Sequence, residues 1–440
     1  MTRAEEYNAL LQELEVTPDR LNFTVARAKA RTRRQKLRRC IGAPLISLSA
    51  ACFAFVLLVN FSTPFAMACA KVPFFKELAE AVSFHPSLYA AVENEWVQPI
   101  GQTDTDNGYT MTVEYLIVDQ KQLNVFYTLK GGEEVDPEDH YMVLSDFLDE
   151  QGEELPFSTF TTGSRVNGEI YQITADFVSV DRVVPDWIRM ECELTKDVDG
   201  ADDHQKETVA EFSFDLSFDP QFTAQAEVVE VNRWLELDGQ KVMLKNVEIY
   251  PTHVRINLED HPDNTAWLRD LGLYLQDERG VRYEGVSNGI TGSGSADSPF
   301  MQSFRVESSF FSDSKKLTLC IAGAQWLEKE RQWTTLDLAS GEIGYLPNGA
   351  VLIGVERNGN GWIVKTREPD ETDMHAGQMF LGWRAPDGTE DAPNRWSDYR
   401  YDGSHYQDTF IDDYAWDTVE LELNYNLTSK YSEPVTIDLF

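Results

Sequence analysis

The stretch YTMTVEYLIVDQKQLNVFYTL, residues 109–129, has the residue pattern from which a β-rich fold is predicted. Apolar and polar residues alternate along Tyr109–Val118, and Leu123–Leu129 is again rich in β-branched and aromatic residues. Alternation with a period of two is typical of a strand with one buried face. The polar residues 119–122 predict a turn between the two runs, so this stretch is predicted to form an antiparallel hairpin.

The same form recurs further along the chain. Asp238-Gly239 separates the β-rich runs Val228–Leu237 and Gln240–Tyr250, and this dipeptide favours the tight turn of a two-residue hairpin. A third hairpin is predicted over 271–286. Strands at this spacing with Gly, Asp and Asn turns predict a mostly β fold of tandem antiparallel β-sandwiches. Later β-rich runs occur at 315–322, 349–356, 362–367, 419–426 and 435–440.

Two joins divide this β-rich region. Asp219-Pro220 ends one block and begins the next, and residues 339–347 form a second join. We therefore predict three modules, at 85–218, 219–340 and 341–440. Their sequences are too dissimilar to be called repeats.

Charge is divided unevenly along the chain. Residues 1–41 carry ten Lys/Arg against five Asp/Glu, whereas the remaining residues carry 28 against 69. Such a change of sign between segments indicates two compartments. A region as acidic as the second would repel phosphates, so we expect no nucleic-acid partner.

An uncharged segment follows the basic residues. No charged side chain occurs from Cys40 to Ala70, and Ile41–Phe61 is long and apolar enough to cross a bilayer as a helix. Six Lys/Arg just before it place the N-terminus in the cytoplasm by the positive-inside rule. We therefore predict a single-pass protein of the cell membrane, with an extracellular C-terminal region. Its predicted parts before the modules are a cytoplasmic helical tail (1–40), a transmembrane helix (41–61) and a juxtamembrane helix (62–84).

Two alternatives stay open at this segment. Ala66–Ala68 and Ala68–Ala70 resemble the cleavage sites of a secretory signal, although a charged leader of about 40 residues is longer than usual. A lipid anchor on Cys69 is the other alternative, but the three residues before it lack the usual Leu.

The tail contains one short amphipathic stretch. Within residues 3–15, an apolar stripe with i, i+3, i+4, i+7 spacing consists of Tyr7, Leu10, Leu11 and Leu14. A tail of about 40 residues is too small to bury a core of its own. We interpret the stripe as a surface that docks on a cytoplasmic protein. The alternative is a marginal helix held near the membrane by the basic residues that follow it.

No arrangement of side chains indicates catalysis, a cofactor or a metal. The seven histidines form no HExxH motif, and the five cysteines form no CxxC motif. Two acidic stretches, 104–108 and 197–203, resemble the start of a calcium loop, but each lacks part of the ligand set and is more simply a turn. Cys192 and Cys320 could form a disulfide or remain two buried thiols.

The last predicted module is rich in aromatic residues with acids between them. Such aromatic residues can fill sandwich cores, stack on sugars or bind proteins, and we favour the first interpretation. No spacing among the acids selects a glycosidase pair, so we expect no enzyme. The aromatic residues are Trp383, Trp396, Tyr399, Tyr401, Tyr406, Tyr414 and Trp416.

The order of several short motifs resembles a known family. A Pro-started stretch ending at 28–31 (AKAR) precedes the uncharged segment, which leads through 62–73 (STPFAMACAKVP) to a hairpin ending at 127–131 (YTLKG). These features resemble the anti-sigma-factor-like, domain-of-unknown-function single-pass membrane proteins of Gram-positive bacteria. Residues 238–242 (DGQKV) and 249–252 (IYPT) are similar to the immunoglobulin-like domain that often follows in that family.

The resemblance implies a regulator that holds an extracytoplasmic-function sigma factor at the membrane. The His-x3-Cys-x2-Cys motif of zinc anti-sigma domains is absent, so the short helices of 3–39 would have to bind the sigma factor. We therefore predict a membrane-anchored regulator or sensor with a docking tail and an unidentified exterior ligand. The alternatives are an exterior binding or adhesion protein whose tail serves only for insertion, and an envelope enzyme.

Overall fold

The computed structural model covers the tail helix and most of the β-rich region. The predicted transmembrane helix 41–61 and juxtamembrane helix 62–84 lie outside the described residues. Among the residues that are described, no helix is long and apolar enough to cross a membrane. The chain divides into two compact units, Met1–Ala79 and Glu80–Phe440. The described residues are 2–14, 85–94, 96–131, 141–161, 164–177, 182–197, 206–220, 223, 226–286, 290–295, 297–369 and 377–440.

The described part of the first unit is one helix, α1 (Arg3–Leu14). The Glu5 carboxylate accepts a hydrogen bond from the backbone N–H of Thr2 at 2.8 Å, which is one half of a capping box. Glu5 and Glu6 in the first turn also complement the positive end of the helix dipole. The helix predicted from the periodicity of the tail is therefore present.

The described part of the second unit begins with α2 (Pro86–Glu93), followed by the strands β1 (Gln98–Asp106), β2 (Tyr109–Val118), β3 (Gln122–Gly131), β4 (Tyr141–Leu148), β5 (Phe157–Thr161), β6 (Asn167–Phe177), β7 (Trp187–Asp197) and β8 (Lys206–Ser217). A five-stranded sheet has the order β1-β2-β3-β6-β5, a three-stranded sheet has the order β4-β7-β8, and both contribute side chains to the first hydrophobic core. Along β8, exposed and buried residues alternate, as expected for a strand with one solvated face.

Two further cores follow, and the last strand of the chain belongs to the earlier of them. The strands are β9 (Glu227–Leu237), β10 (Gln240–Ile249), β11 (Val254–Asp260), β12 (Ala266–Asp277), β13 (Arg282–Tyr283), β14 (Gly292–Ser295), β15 (Ser298–Val306), β16 (Leu317–Glu328), β17 (Trp333–Asp337), β18 (Val351–Asn358), β19 (Gly361–Pro369), β20 (Phe380–Arg384), β21 (Glu390–Asp391), β22 (Arg395–Tyr401), β23 (Ser404–Ile411), β24 (Thr418–Leu423) and β25 (Leu427–Asp438). The second core lies between sheets β14-β15-β11-β10-β9 and β13-β12-β16-β25. Sheets β17-β24-β20-β21 and β18-β19-β23-β22 surround the third core.

The strand pairings confirm a mostly β fold of antiparallel sheets. The predicted hairpin of 109–129 is β2 paired with β3, and that around Asp238-Gly239 is β9 paired with β10. Asp238 and Gly239 have φ angles of 51° and 78°, and positive values at both central positions are what a type I′ turn requires. The bounds of the three predicted modules remain a prediction.

Candidate functional site at the junction of the first two cores

The predicted docking surface of the tail lies on α1. The side chain of Tyr7 is 66% exposed. Leu10, Leu11 and Leu14 fall within the same helix, but their side chains lie outside the described part of the structure. Their role in binding a partner stays a prediction.

Helix α2 packs on the outer surface of the first core's larger sheet. It starts at Pro86, where the missing N–H of proline is tolerated because a first-turn N–H has no partner within the helix. Leu88 and Ala91 are buried against Ile117 of β2 and Phe126 of β3. This contact buries Phe126, which lies on the face of β3 opposite the first core.

The same helix is bonded to the second core. The backbone N–H and the hydroxyl of Ser87 both donate to Oε2 of Glu307, which follows β15, and the backbone contact measures 2.8 Å. Burial raises the pKa of Glu307. After the helix, the indole of Trp96 lies against Phe310 and Phe311, with ring centroids 6.2 and 6.0 Å away. Helix α2 and the residues that follow it therefore contact both cores.

A buried ionic contact joins the two cores directly. Asp176 of β6 accepts from Nη2 of Arg255 at 2.6 Å and from Nε and Nη2 of Arg305 at 3.0 and 2.5 Å. All three side chains are almost wholly buried. Burial opposes the ionisation of Asp176, but the charges of Arg305 and Arg255 outweigh burial and hold its pKa below the ordinary value.

The contact continues through His253 to Asp119. Because Nε of Arg255 donates to Nε2 of His253 at 3.0 Å, the neutral imidazole carries its proton on Nδ1. Nδ1 lies 2.8 Å from Oγ1 of Thr252, and that hydroxyl donates to Oδ2 of Asp119 at 2.6 Å. Burial and the charge of Arg255 lower the pKa of His253 well below its ordinary value, whereas burial raises the pKa of Asp119.

This junction network, Asp119, Asp176, Thr252, His253, Arg255 and Arg305, is arranged to hold two cores together. His253 and Asp119 are fully buried, so no substrate could reach them without a structural change. No group of three or more His, Cys, Asp or Glu among the described residues could hold a metal ion. A surface cavity of about 480 Å³ lies beside α2, lined in part by Pro86, Ala90 and residues 281–285.

The first acidic stretch, 104–108, forms the end of β1 and the turn to β2. The carboxylates of Asp104 and Asp106 accept from the backbone N–H groups of Ser213 and Glu211 at 2.9 and 3.0 Å. They therefore cover the edge of β8 instead of converging on an ion. The second stretch, 197–203, lies outside the described residues after Asp197.

The aromatic residues of the last predicted module separate into two groups. Packed in the third core are Trp383, Tyr414 and Trp416, as the favoured interpretation predicts. That interpretation is wrong for Trp396, Tyr399 and Tyr401, which are exposed on β22. The ring of Tyr399 stacks on that of Tyr406, with a centroid distance of 5.1 Å.

His405 of β23 lies between two carboxylates. Its Nε2 is 3.1 Å from Oδ2 of Asp398, and its Nδ1 is 3.5 Å from Oε1 of Glu368. Glu368 also accepts from the hydroxyl of Tyr425 at 2.7 Å. The hydrogen bond to Glu368 and that to Asp398 raise the pKa of His405 against the opposing effect of burial.

The two cysteines of the β-rich region are both buried and free. Of the two alternatives for Cys192 and Cys320, the pair of buried thiols is therefore confirmed.

No pattern in the sequence pointed to the junction network. Arg305 stands between Phe304 and Val306, and Arg255 between Val254 and Ile256. Such alternation predicts a strand with one solvated face, yet both Arg side chains are buried. Their shared partner, Asp176, is 129 residues away from Arg305, so sequence spacing alone could not identify it.

Comparisons with known proteins give two family matches. Residues 37–131 match Domain of unknown function (DUF4179), and residues 226–344 match Family of unknown function (DUF5643). A search of curated proteins finds no significant match. Among solved structures, a conserved domain protein from Bacillus anthracis is distantly similar, at 17% identity and a TM-score of 0.40 over 57% of this chain and 84% of that one.

Proposed function

We propose that this chain is a single-pass membrane regulator or sensor of the anti-sigma-factor-like kind. The observation that carries this proposal is the uncharged stretch from Cys40 to Ala70 between a basic N-terminal segment and an acidic β-rich one. The basic residues would keep 1–40 in the cytoplasm, Ile41–Phe61 would cross the cell membrane, and the β-rich unit would lie outside.

We assign the binding of a cytoplasmic partner to α1. The helix is capped, and its exposed Tyr7 belongs to the stripe that Leu10, Leu11 and Leu14 complete. A short amphipathic helix without a core of its own gains stability mainly by packing on a partner. We propose a cytoplasmic sigma factor as that partner.

The exterior role would use the junction of the first two cores. Helix α2 is the first described element after the proposed span; it packs on the larger sheet of the first core and is hydrogen-bonded to Glu307, which follows β15 of the second. The region 37–131 that matches DUF4179 contains the proposed span, α2 and the first three strands. A ligand that alters the junction would therefore act on the segment leading into the membrane. We further propose that the paired sheets around each core are immunoglobulin-like sandwiches.

An exterior binding or adhesion protein is the second candidate. The exposed Trp396, Tyr399 and Tyr401 on β22 favour it, because aromatic residues at a surface supply contact area for proteins or sugars. In that case the tail would serve only for membrane insertion.

The stripe on α1 provides the test. Full-length chain with Tyr7, Leu10, Leu11 and Leu14 replaced by Ala would be expressed in a Gram-positive host carrying a reporter for an extracytoplasmic-function sigma factor. We expect reporter transcription to rise severalfold, because the sigma factor is no longer held. The matched control replaces Glu6, Asn8 and Gln12 of the same helix by Ala and should leave transcription unchanged. Equal transcription from all three chains at equal abundance would contradict sigma binding by the tail and favour the adhesion candidate.

A further inference from the structure

The outer face of the sheet β4-β7-β8 forms a groove. Inward side chains of this sheet pack in the first core, and the outward ones face solvent. Residues of β5 on one side and Asp104 of β1 on the other extend the surface past the sheet's edges, and the space between measures about 840 Å³. None of the described residues outside these five strands lines it.

The charged side chains that line this groove all have one sign. They are Asp104, Asp146, Glu191, Glu193 and Glu211, with no Lys, Arg or His among the described lining residues; outside the lining, Nζ of Lys206 contacts the sulfur of Met142 at 3.4 Å. The ion pairs formed by β7 with β8, Arg189–Asp215 and Lys196–Glu207, lie outside the lining. Within the described residues, none of these five carboxylates has a cationic side chain within ion-pair distance.

Apolar side chains lie beside these carboxylates. Met142 and Leu144 of β4 are 39% and 48% exposed, and Phe160 of β5 is 40% exposed. All three line the groove. Large apolar side chains that line a concave surface are typical of a binding face.

We propose that this groove binds a cationic amphipathic peptide segment. Charge complementarity selects the occupant, since an acidic or neutral partner would leave the carboxylates unpaired or repelled. The apolar side chains of such a segment would cover Met142, Leu144 and Phe160, while its Lys or Arg residues would face Glu191, Glu193 and the other acids. Strand β4 has eight residues. An extended peptide of about eight residues, at ~3.3 Å per residue, would therefore run along its whole length.

This inference goes beyond the proposed function, because it needs only the described sheet and not the membrane topology or the tail. The test is binding of a fluorescent 12-residue peptide of repeating Lys-Lys-Leu-Leu to purified full-length chain, followed by anisotropy. In an extended segment this repeat presents both Lys and Leu on the same face. Control peptides repeat Glu-Glu-Leu-Leu or Lys-Lys-Gly-Gly. We expect the Lys-Leu peptide to bind most tightly, and binding to weaken at high salt.

Two matched sets of variants locate the binding. Replacing Glu191, Glu193 and Glu211 by Gln should raise the Kd about tenfold, as expected when three surface charge pairs are lost. The control makes the same change in charge on another sheet, by replacing Glu227, Glu230 and Glu236 by Gln. It should alter the Kd by no more than about twofold. Equal losses in both sets would overturn the proposal, because they would indicate attraction to net charge alone.

The apolar part of the groove is tested separately. Replacing Met142 and Leu144 by Ser should weaken binding severalfold, because both lie exposed in the groove and their removal leaves no cavity in the core. Replacing the exposed Val351 and Ile353 of β18 by Ser is the control. If the variant with Met142 and Leu144 replaced by Ser bound the peptide with an unchanged Kd, the proposal would be overturned. If the reporter experiment showed no effect of the tail substitutions, the result of the peptide-binding experiment would be unaffected. The two proposals can therefore be contradicted independently.

Discussion

Replacing Asp176 by Asn should weaken the junction between the first two cores. The substitution keeps the shape of the side chain but removes the negative charge that Arg255 and Arg305 share. An Asn side chain still offers one acceptor oxygen, but its amino group would face a guanidinium group. Two cations would then remain buried without the charge that compensates them.

The magnitude follows from that burial. Removing one partner of a buried ion pair costs about 3–5 kcal/mol of unfolding free energy. At about 2.1 cal/mol/K of unfolding entropy per residue, each kcal/mol lowers the Tm of the unit Glu80–Phe440 by about 1.3 °C, so Tm should fall by roughly 4–7 °C. Because the pKa of Asp176 is lowered, its stabilisation is present above the ordinary value of 3.8 and is lost as pH falls through the lowered pKa. The difference in Tm between wild type and Asp176→Asn should therefore reach its full size near neutral pH.

The assay is thermal unfolding of the full-length chain, followed by circular dichroism. The matched control is Asp215→Asn, which makes the same chemical change in an ion pair with Arg189 whose side chains are 59% and 45% exposed. An exposed pair contributes at most about 1 kcal/mol, so the control should melt close to wild type. If Asp176→Asn melted as high as the control, the junction network would not hold the cores together.

Two further predictions concern the third core. The raised pKa of His405 means that its stabilisation is present below the ordinary value of 6.5 and is lost as pH rises through the raised pKa. The fall in Tm from about pH 6 to about pH 8 should be larger for wild type than for His405→Gln, and equal falls would contradict the assignment. Gly361→Ala should lower the unfolding free energy by about 1–3 kcal/mol, because its Cβ would overlap backbone atoms of Ile411 and Asp412. Gly354→Ala on the neighbouring strand, where a Cβ meets open space, should unfold at nearly the same urea concentration as wild type.

The hairpins could be predicted from the sequence because their signals are local. The period-two pattern of 109–129 and the Asp238-Gly239 turn each lie within about 20 residues, and the structure has strands on both sides of each turn. Local turn chemistry fixes the register of such pairs. The helix of the tail was likewise visible from four apolar residues at helical spacing.

Long-range pairing could not be predicted in the same way. Strand β25, at the end of the chain, pairs with β16, and Ile437 is buried in the second core. Nothing in the composition of Leu427–Asp438 distinguishes this partner from a nearer strand. The docking of α2 and the Asp176–Arg305 contact were missed for the same reason, because each depends on residues brought together only by the tertiary fold.

The proposed regulator requires a chain that crosses the membrane once with its N-terminal tail inside, and cysteine labelling measures that orientation. Single cysteines would be introduced as Tyr7→Cys and Tyr401→Cys, at side chains that are 66% and 69% exposed. Cys40, Cys52 and Cys69 would be replaced by Ser, and the two remaining cysteines are buried. With a membrane-impermeant maleimide, Tyr401→Cys should be labelled in intact cells and Tyr7→Cys only after permeabilisation. Labelling of both positions in intact cells, or of Tyr7→Cys alone, would contradict a single-pass chain with its tail inside.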